Sequence, residues 1–266
     1  MTVAEALAAC GLEAREARLL LAASCGFSQA SVLAFPERSL EPATEAAFLA
    51  AAARRRAGEP VAYILGVKEF YGLPLAVNPA VLIPRPETEL LVEVARELEP
   101  RTVLDLGTGS GAIALAIRRH LPRTRVVAVE ASAAALVVAR RNALKLGLDV
   151  ELRHGLWFEP VAGERFALVV SNPPYVAEGD PHLARGDLRF EPRAALVAGA
   201  DGLGAIRAIV AGAAGHLAPG GWLALEHGLG QDGAVRDLLR AAGFGSVESR
   251  PDLAGIARAT VGQVQS

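Results

Sequence analysis

Asn172, Pro173, Pro174 and Tyr175 follow the apolar run Phe166–Ser171, which reads as a short buried strand. They therefore stand at the carboxyl end of a strand, where ligands bind in open α/β sheets. Consecutive prolines remove two backbone donors and hold φ at about −65°, so the segment is stiff. Each residue ahead of a proline is pushed toward extended geometry, which freezes Asn172 and Pro173 as well. The product is a rigid shelf bearing one amide side chain, free carbonyl oxygens and one aromatic ring. Its chemistry is recognition by hydrogen-bonding groups held in fixed places, although an Asn-Pro pair can also simply start a turn.

A second constellation lies upstream. Thr102–Leu106 reads as a buried strand, followed by Gly107, Thr108, Gly109, Ser110 and Gly111, and then by an apolar helix from Ala112 to Arg119. Glycines let a ligand approach the backbone closely, and a helix N-terminus adds positive potential. The Gly-x-Gly-x-Gly spacing after Asp105 differs from the Gly-x-Gly-x-x-Gly dinucleotide fingerprint, which favours a smaller, zwitterionic ligand over a pyrophosphate. The next strand, Arg125–Val129, ends in Glu130. An acid there can accept both hydroxyls of a ribose, so loop and acid together point to an adenosine-containing ligand. Trp157, just past the third strand Val150–His154, could stack on a purine or fill the core. His227 also follows a strand and reads as a turn histidine or a catalytic group.

These residues need elements to hold them. Residues 1–60 are rich in Ala, Leu, Arg and Glu with helical spacing, as in Leu7, Leu12, Leu19, Leu20 and Leu21, and predict a small bundle of three to five helices. Residues 61–84 change character. Val61–Gly66 and Lys68–Val77 alternate and carry Gly and Pro, which predicts a β-hairpin linking two domains. Arg85 lies between two prolines and leads to Thr88, a candidate N-cap. From residue 85 to 266 the pattern alternates strand and helix, an α/β arrangement. Helix Ala133–Leu146 ends at Gly147. Val176–Ala200 is long enough to close over the site as a lid. Helical residues 202–217, a tight turn at Ala218–Gly221, strand Trp222–Glu226, helix Asp232–Ala242 and an antiparallel pair, Ser246–Arg250 with Ile256–Gly262, complete the sheet.

With 266 residues, 52% of them apolar and 21% charged, there is ample core for a main domain and a smaller one. A net charge of −2 gives no general attraction to nucleic acid, and Arg54–Arg56 is the sole basic run. No stretch is long and apolar enough for a membrane span and no signal peptide is evident, so a cytoplasmic protein without membrane contacts is expected. Cys10 and Cys25 lack metal-ligand spacing and read as buried free thiols. No metal is expected.

Taken together, Asp105–Gly111, Glu130, Asn172–Tyr175 and Leu217–Gly221 resemble a class I S-adenosylmethionine-dependent methyltransferase over residues 85 to 266. The Asn-Pro-Pro-Tyr tetrapeptide is similar to that of the branch that methylates amino and amide nitrogens. Ile83–Glu89, Phe190–Leu196, Asp201–Leu203 and the helical N-terminal region resemble the peptide chain release factor glutamine methyltransferase family across nearly the whole chain. Glu130 stands where that pattern usually has Asp, and Leu156 where a polar residue is common.

The resemblance implies a doubly wound seven-stranded sheet, its last strand antiparallel. It implies S-adenosylmethionine as cofactor, S-adenosylhomocysteine as product, and class I release factors as partners, methylated at the Gly-Gly-Gln glutamine without direct nucleic-acid binding. A methyltransferase for exocyclic amino groups of RNA or DNA is the alternative. Cofactor contacts carry over to Gly107, Thr108, Gly109, Gly111, Glu130, Trp157 and Asn172. Substrate contacts carry over to Asn172, Pro173, Pro174 and Tyr175, with Asn172, Pro173 and Tyr175 as the catalytic group. The Asn172 side-chain oxygen and the Pro173 carbonyl would each accept one hydrogen of the substrate NH2, and Tyr175 would pack against the flat amide.

Overall fold

Thr2 starts the first helix with a reciprocal cap: its hydroxyl accepts from the Glu5 N–H at 3.2 Å, and the Glu5 carboxylate accepts from the Thr2 N–H at 2.8 Å. The computed structural model describes residues 1–265 and divides into two units, Met1–Val67 with His182–Phe190, and Lys68–Pro181 with Glu191 onward. The first unit carries α1 (Val3–Ala9), α2 (Ala14–Cys25), α3 (Gln29–Ala34), α4 (Pro42–Arg56) and α5 (Val61–Leu65). Val3, Leu20, Leu21, Val32 and Phe48 form its core, and Cys10 is buried among them as a free thiol.

Residues 61–65 are thus helical, where alternation predicted a strand. Pro60 presets the entry at φ −56° and Gly66 ends the turn in the left-handed region at φ 68°. One helical turn buries Tyr63 and packs Val61, Ile64 and Leu65 on the bundle core, which a strand of this length could not do. The hairpin is accordingly shorter than expected: β1 (Val67–Phe70) and β2 (Leu73–Ala76), joined through Tyr71 and Gly72, both at positive φ.

Seven further strands form one sheet in the second unit: β3 (Thr102–Leu106), β4 (Arg125–Glu130), β5 (Glu151–His154), β6 (Phe166–Ser171), β7 (Leu217–Glu226), β8 (Phe244–Pro251) and β9 (Ala257–Val264), ordered β5-β4-β3-β6-β7-β9-β8. β9 alone runs opposite to the other six strands. The central strands read as continuous apolar runs because both faces are covered. One face carries α6 (Glu89–Leu98) and α7 (Ala112–His120), with Leu91, Ile113 and Ile117 in its core. The other carries α9 (Gly204–His216) and α10 (Asp232–Ala241), with Ile206, Ile209 and Leu239. The strand order reverses between β3 and β6, so their carboxyl ends part and leave a crevice. β7 begins at Leu217 rather than Trp222, with the expected Ala218–Gly221 turn absorbed as an irregularity against β6.

Asn142, on α8 (Ala133–Leu146), ties the crevice to its surroundings. Its amide oxygen accepts from the Ala76 N–H at 2.7 Å, while its nitrogen donates to the carbonyls of Ala76 (3.0 Å) and Ser110 (2.9 Å). One buried amide thereby fixes the chain leaving the hairpin against the glycine loop.

Candidate active site

At the end of β3, Asp105 is fully buried. Its Oδ2 accepts from the Thr108 hydroxyl at 2.6 Å and the Ala114 N–H at 3.2 Å, which draws the loop down onto α7. Its Oδ1 has no hydrogen-bond partner among the described residues. Burial pushes this carboxyl up to about 7, with both donors pulling the other way. Gly109 has φ 58°, and a Cβ placed there would meet nothing within 4 Å, so the backbone at this point is open to a ligand. Gly111 serves packing instead: a Cβ would fall 2.9 Å from Leu115 Cδ1.

Glu130 bridges two loops. Oε2 accepts from the Gly109 N–H and Oε1 from the Ser132 N–H, both at 2.8 Å. Trp157, at φ 46°, and Leu156, 47% exposed, border the same space.

At the end of β6, the Ser171 hydroxyl donates to the Leu106 carbonyl at 2.6 Å and ties the two central strands together. Asn172 then donates from Nδ2 to the Thr88 hydroxyl at 3.0 Å, which leaves its side-chain oxygen as the free end of the amide. The Tyr175 hydroxyl donates to Glu226 Oε1 at 3.1 Å, and the Gln231 amide donates to the Tyr175 carbonyl at 3.0 Å. Gly202 packs on that carbonyl so closely that a Cβ would fall 2.4 Å from its oxygen. The shelf is thus braced from behind at three points. Burial and the facing Glu226 carboxylate push the Tyr175 hydroxyl above its usual range. Burial likewise pushes Glu226 up to about 7, opposed by the Thr88 and Tyr175 hydroxyls.

Some of these groups line a cleft of about 320 Å³. Of the residues singled out in the sequence, Gly107, Gly109, Glu130, Trp157, Asn172 and Pro174 line it, whereas Thr108, Gly111, Pro173 and Tyr175 do not. Thr108 is occupied with Asp105, and Tyr175 turns its hydroxyl back toward Glu226. His227 lies outside the cleft, fully buried, with ring nitrogens 3.0 Å from Thr260 Oγ1 and 3.2 Å from the Gly228 carbonyl. Burial holds its pKa below the ordinary value, and both ring nitrogens are engaged within the fold.

Sequence reasoning missed two walls. One is Ala80, Val81 and Leu82, which follow the Ala76 that Asn142 holds; the other is Pro192, Ala194 and Ala195. The first adjoins Ile83–Glu89 and the second lies within Phe190–Leu196, stretches already noticed for their resemblance and not as walls of a site. The two motifs meet in an ion pair between Arg85 and the wholly buried Glu191 side chain, whose other oxygen accepts from the Ile83 N–H at 3.4 Å. The expected lid divides: His182–Phe190 belong to the helical unit, and only the stretch after them lines the cleft. Arg54–Arg56 are engaged within that unit, with Glu59, with Glu16 and Asp187, and with the Cys10 carbonyl. Among the described residues no cluster of three or more His, Cys, Asp or Glu could hold a metal, and no helix is long and apolar enough to cross a membrane.

Residues 86–187 match the family model of the methyltransferase small domain, and residues 2–66 match that of the PrmC N-terminal domain. The chain is 53% identical to the release factor glutamine methyltransferase of Burkholderia pseudomallei, over 99% of this chain and 96% of that one. It is 53% identical to the protein of that name from Bordetella pertussis, over 95% of each. Among solved structures it resembles a 16S rRNA methyltransferase from T. thermophilus in complex with AdoMet and guanosine, with TM-score 0.57, 23% identity, and coverage of 75% of this chain and 50% of that one.

Proposed function

Because the chain belongs to the release factor glutamine methyltransferase family, we propose that its cleft holds S-adenosylmethionine and that Asn172 presents the side-chain amide of the Gly-Gly-Gln glutamine to it. The residues suit that cofactor. Gly109 leaves its backbone open, Glu130 keeps lone pairs on both oxygens for the ribose hydroxyls, and Trp157 with Val129 and Leu156 offers an apolar surface for the adenine. When bound, the cofactor supplies an activated methyl group on a sulfonium. The cleft volume falls at the lower end of the range for small-molecule sites.

A carboxamide nitrogen is a weak nucleophile because its lone pair is delocalised into the carbonyl. The single observation that carries the proposal is the Asn172–Thr88 hydrogen bond. With its own nitrogen engaged, Asn172 has an oxygen to offer a substrate N–H. The Pro173 carbonyl accepts the second hydrogen, so both acceptors orient the nitrogen and favour positive charge developing on it. The nitrogen held in this way would accept the methyl group that the bound cofactor supplies and would then carry one hydrogen too many. The extra proton on nitrogen then passes to water. Alignment at about 3–3.5 Å, rather than a strong base, is what the protein must supply.

We assign the docking of the release factor to the helical N-terminal unit. Arg54–Arg56 already have partners within that unit, which weighs against the nucleic-acid alternative they favoured. The test is labelled-methyl transfer to a purified class I release factor, its Gln-to-Ala variant in Gly-Gly-Gln, and bulk RNA. Label on the intact factor alone is expected; label on RNA with none on protein would reassign the substrate.

A further inference from the structure

Glu226 ends β7 with only 2% of its surface exposed. A carboxylate so buried needs hydrogen-bond donors. Those facing it are hydroxyls: Tyr175 donates onto Oε1 at 3.1 Å, and Thr88 lies against the same carboxylate. Oε2 completes no hydrogen bond among the described residues. The charged groups nearby are Glu87, next to Thr88, and Arg258 on β9, while Arg85 and Arg258 act on Tyr175.

A hydroxyl has one hydrogen, and an amide can turn either end toward it. The direction of the Asn172–Thr88 hydrogen bond therefore depends on where the Thr88 hydrogen points. A carboxylate does decide it, because it can only accept. Building on the role proposed above for Asn172, we infer that Glu226 and Thr88 are positioning residues for methyl transfer: the carboxylate draws the Thr88 and Tyr175 hydroxyl hydrogens to itself, Thr88 is left as an acceptor for the Asn172 nitrogen, and the Asn172 oxygen is left for the substrate. Neither residue touches the reacting atoms. They select one of two orientations of the group that does.

Protonating Glu226 reverses the polarity. A neutral carboxyl can donate to Thr88, whose hydrogen is then free to point at Asn172 and favour the flipped amide. The midpoint of that change lies at about 7. A glutamine at the position can turn either end of its amide toward Thr88, so the bias is absent at every pH.

The test is steady-state methyl transfer from labelled S-adenosylmethionine to full-length release factor, on both sides of pH 7, with Glu226→Gln, Thr88→Val, Thr88→Ser and the double variant Asn172→Ala/Glu226→Gln. Glu226→Gln and Thr88→Val should each lower kcat about 10-fold or more, the scale of losing an orienting partner, with KM for both substrates nearly unchanged. Thr88→Ser, which keeps the hydroxyl, should restore the rate. Wild-type kcat should rise through pH 7, and the Glu226→Gln profile should be flat. In the Asn172→Ala background, Glu226→Gln should cost nothing more, since the group it orients is gone.

Retained kcat in Glu226→Gln, failure of Thr88→Ser to rescue, or losses that multiply in the double variant would each overturn the inference. If Glu226→Gln does not fold, the Thr88 pair decides alone. Absence of label on release factor with the wild-type enzyme would instead overturn the substrate assignment, and this inference with it.

Discussion

The Asn172 side-chain nitrogen donates to the Thr88 hydroxyl at 3.0 Å, across 84 residues of chain. It turns an ordinary Asn-Pro turn into an oriented acceptor. Replacing Asn172 by Ala should cut the methylation rate by about 10²–10³-fold, as for one lost electrostatic contact to a transition state. S-adenosylmethionine affinity, measured by calorimetry, should change far less. Unchanged turnover in this variant would end the mechanism.

Glu130 holds the Gly109 and Ser132 N–H groups and is proposed to take the ribose. Glu130→Ala should weaken S-adenosylmethionine binding by about 10–100-fold, equivalent to one or two hydrogen bonds to a charged group. KM for the release factor should be little altered. A titration giving wild-type cofactor affinity would exclude Glu130 from the cofactor site.

Gly202 packs its α-carbon against the Tyr175 carbonyl at φ 74°, where a Cβ would lie 2.4 Å from the oxygen. Gly202→Ala must push the shelf forward or strain the turn, with a stability loss of about 1–3 kcal/mol. Its kcat should fall although residue 202 lies outside the cleft. Chemical denaturation and kinetics together check this, and wild-type values in both would contradict the packing argument.

Arg85 is the counter-ion of Glu191, whose side chain is wholly buried while that of Arg85 is 30% exposed. Arg85→Ala should destabilise by about 3 kcal/mol, because a buried charge loses its partner. The double change Arg85→Met/Glu191→Leu should recover much of that loss. Denaturant midpoints for the three proteins give the answer, and an Arg85→Ala protein as stable as wild type would show that the pair is dispensable.

Asp105 and Glu226 both have carboxyls raised by burial to about 7. Between their unfolded pKa values near ~4 and pH 7, the folded state binds more protons than the unfolded state, so stability falls as pH rises through that window. Above about pH 7 the slope from these groups vanishes. Relative to wild type, Glu226→Gln should therefore gain stability between pH 4 and 7, by at most about 3 kcal/mol. Thermal melts of the two proteins at matched pH test the sign. A difference independent of pH would mean that Glu226 titrates normally.

The elements whose signals are contiguous were legible in the sequence: β3 with its glycine loop, β4 ending in Glu130, β6 ending in Asn172, and the antiparallel pair β8 and β9. Each rests on an apolar run with glycine, proline or an acid at its boundary, and that local chemistry needs no distant partner to be read. Where neighbours outweighed the local pattern, reading failed. Val61–Leu65 alternates like a strand but turns helical because Pro60 and Gly66 cap it and Tyr63 has a core to enter.

By itself, the sequence determined the fold class, the family and the chemical kit of the site, since strand ends, glycine spacing and a stiff Asn-Pro-Pro-Tyr segment are properties of short stretches. Only the tertiary structure decided how that kit is aimed. Thr88 meets Asn172, Glu226 meets Tyr175 across 51 residues, and Glu191 meets Arg85 across 106. No residue type announces such a partner in advance. Which hydroxyl faces which carboxylate is set by strand order and by the depth at which each side chain is buried, and both exist only once the sheet has formed.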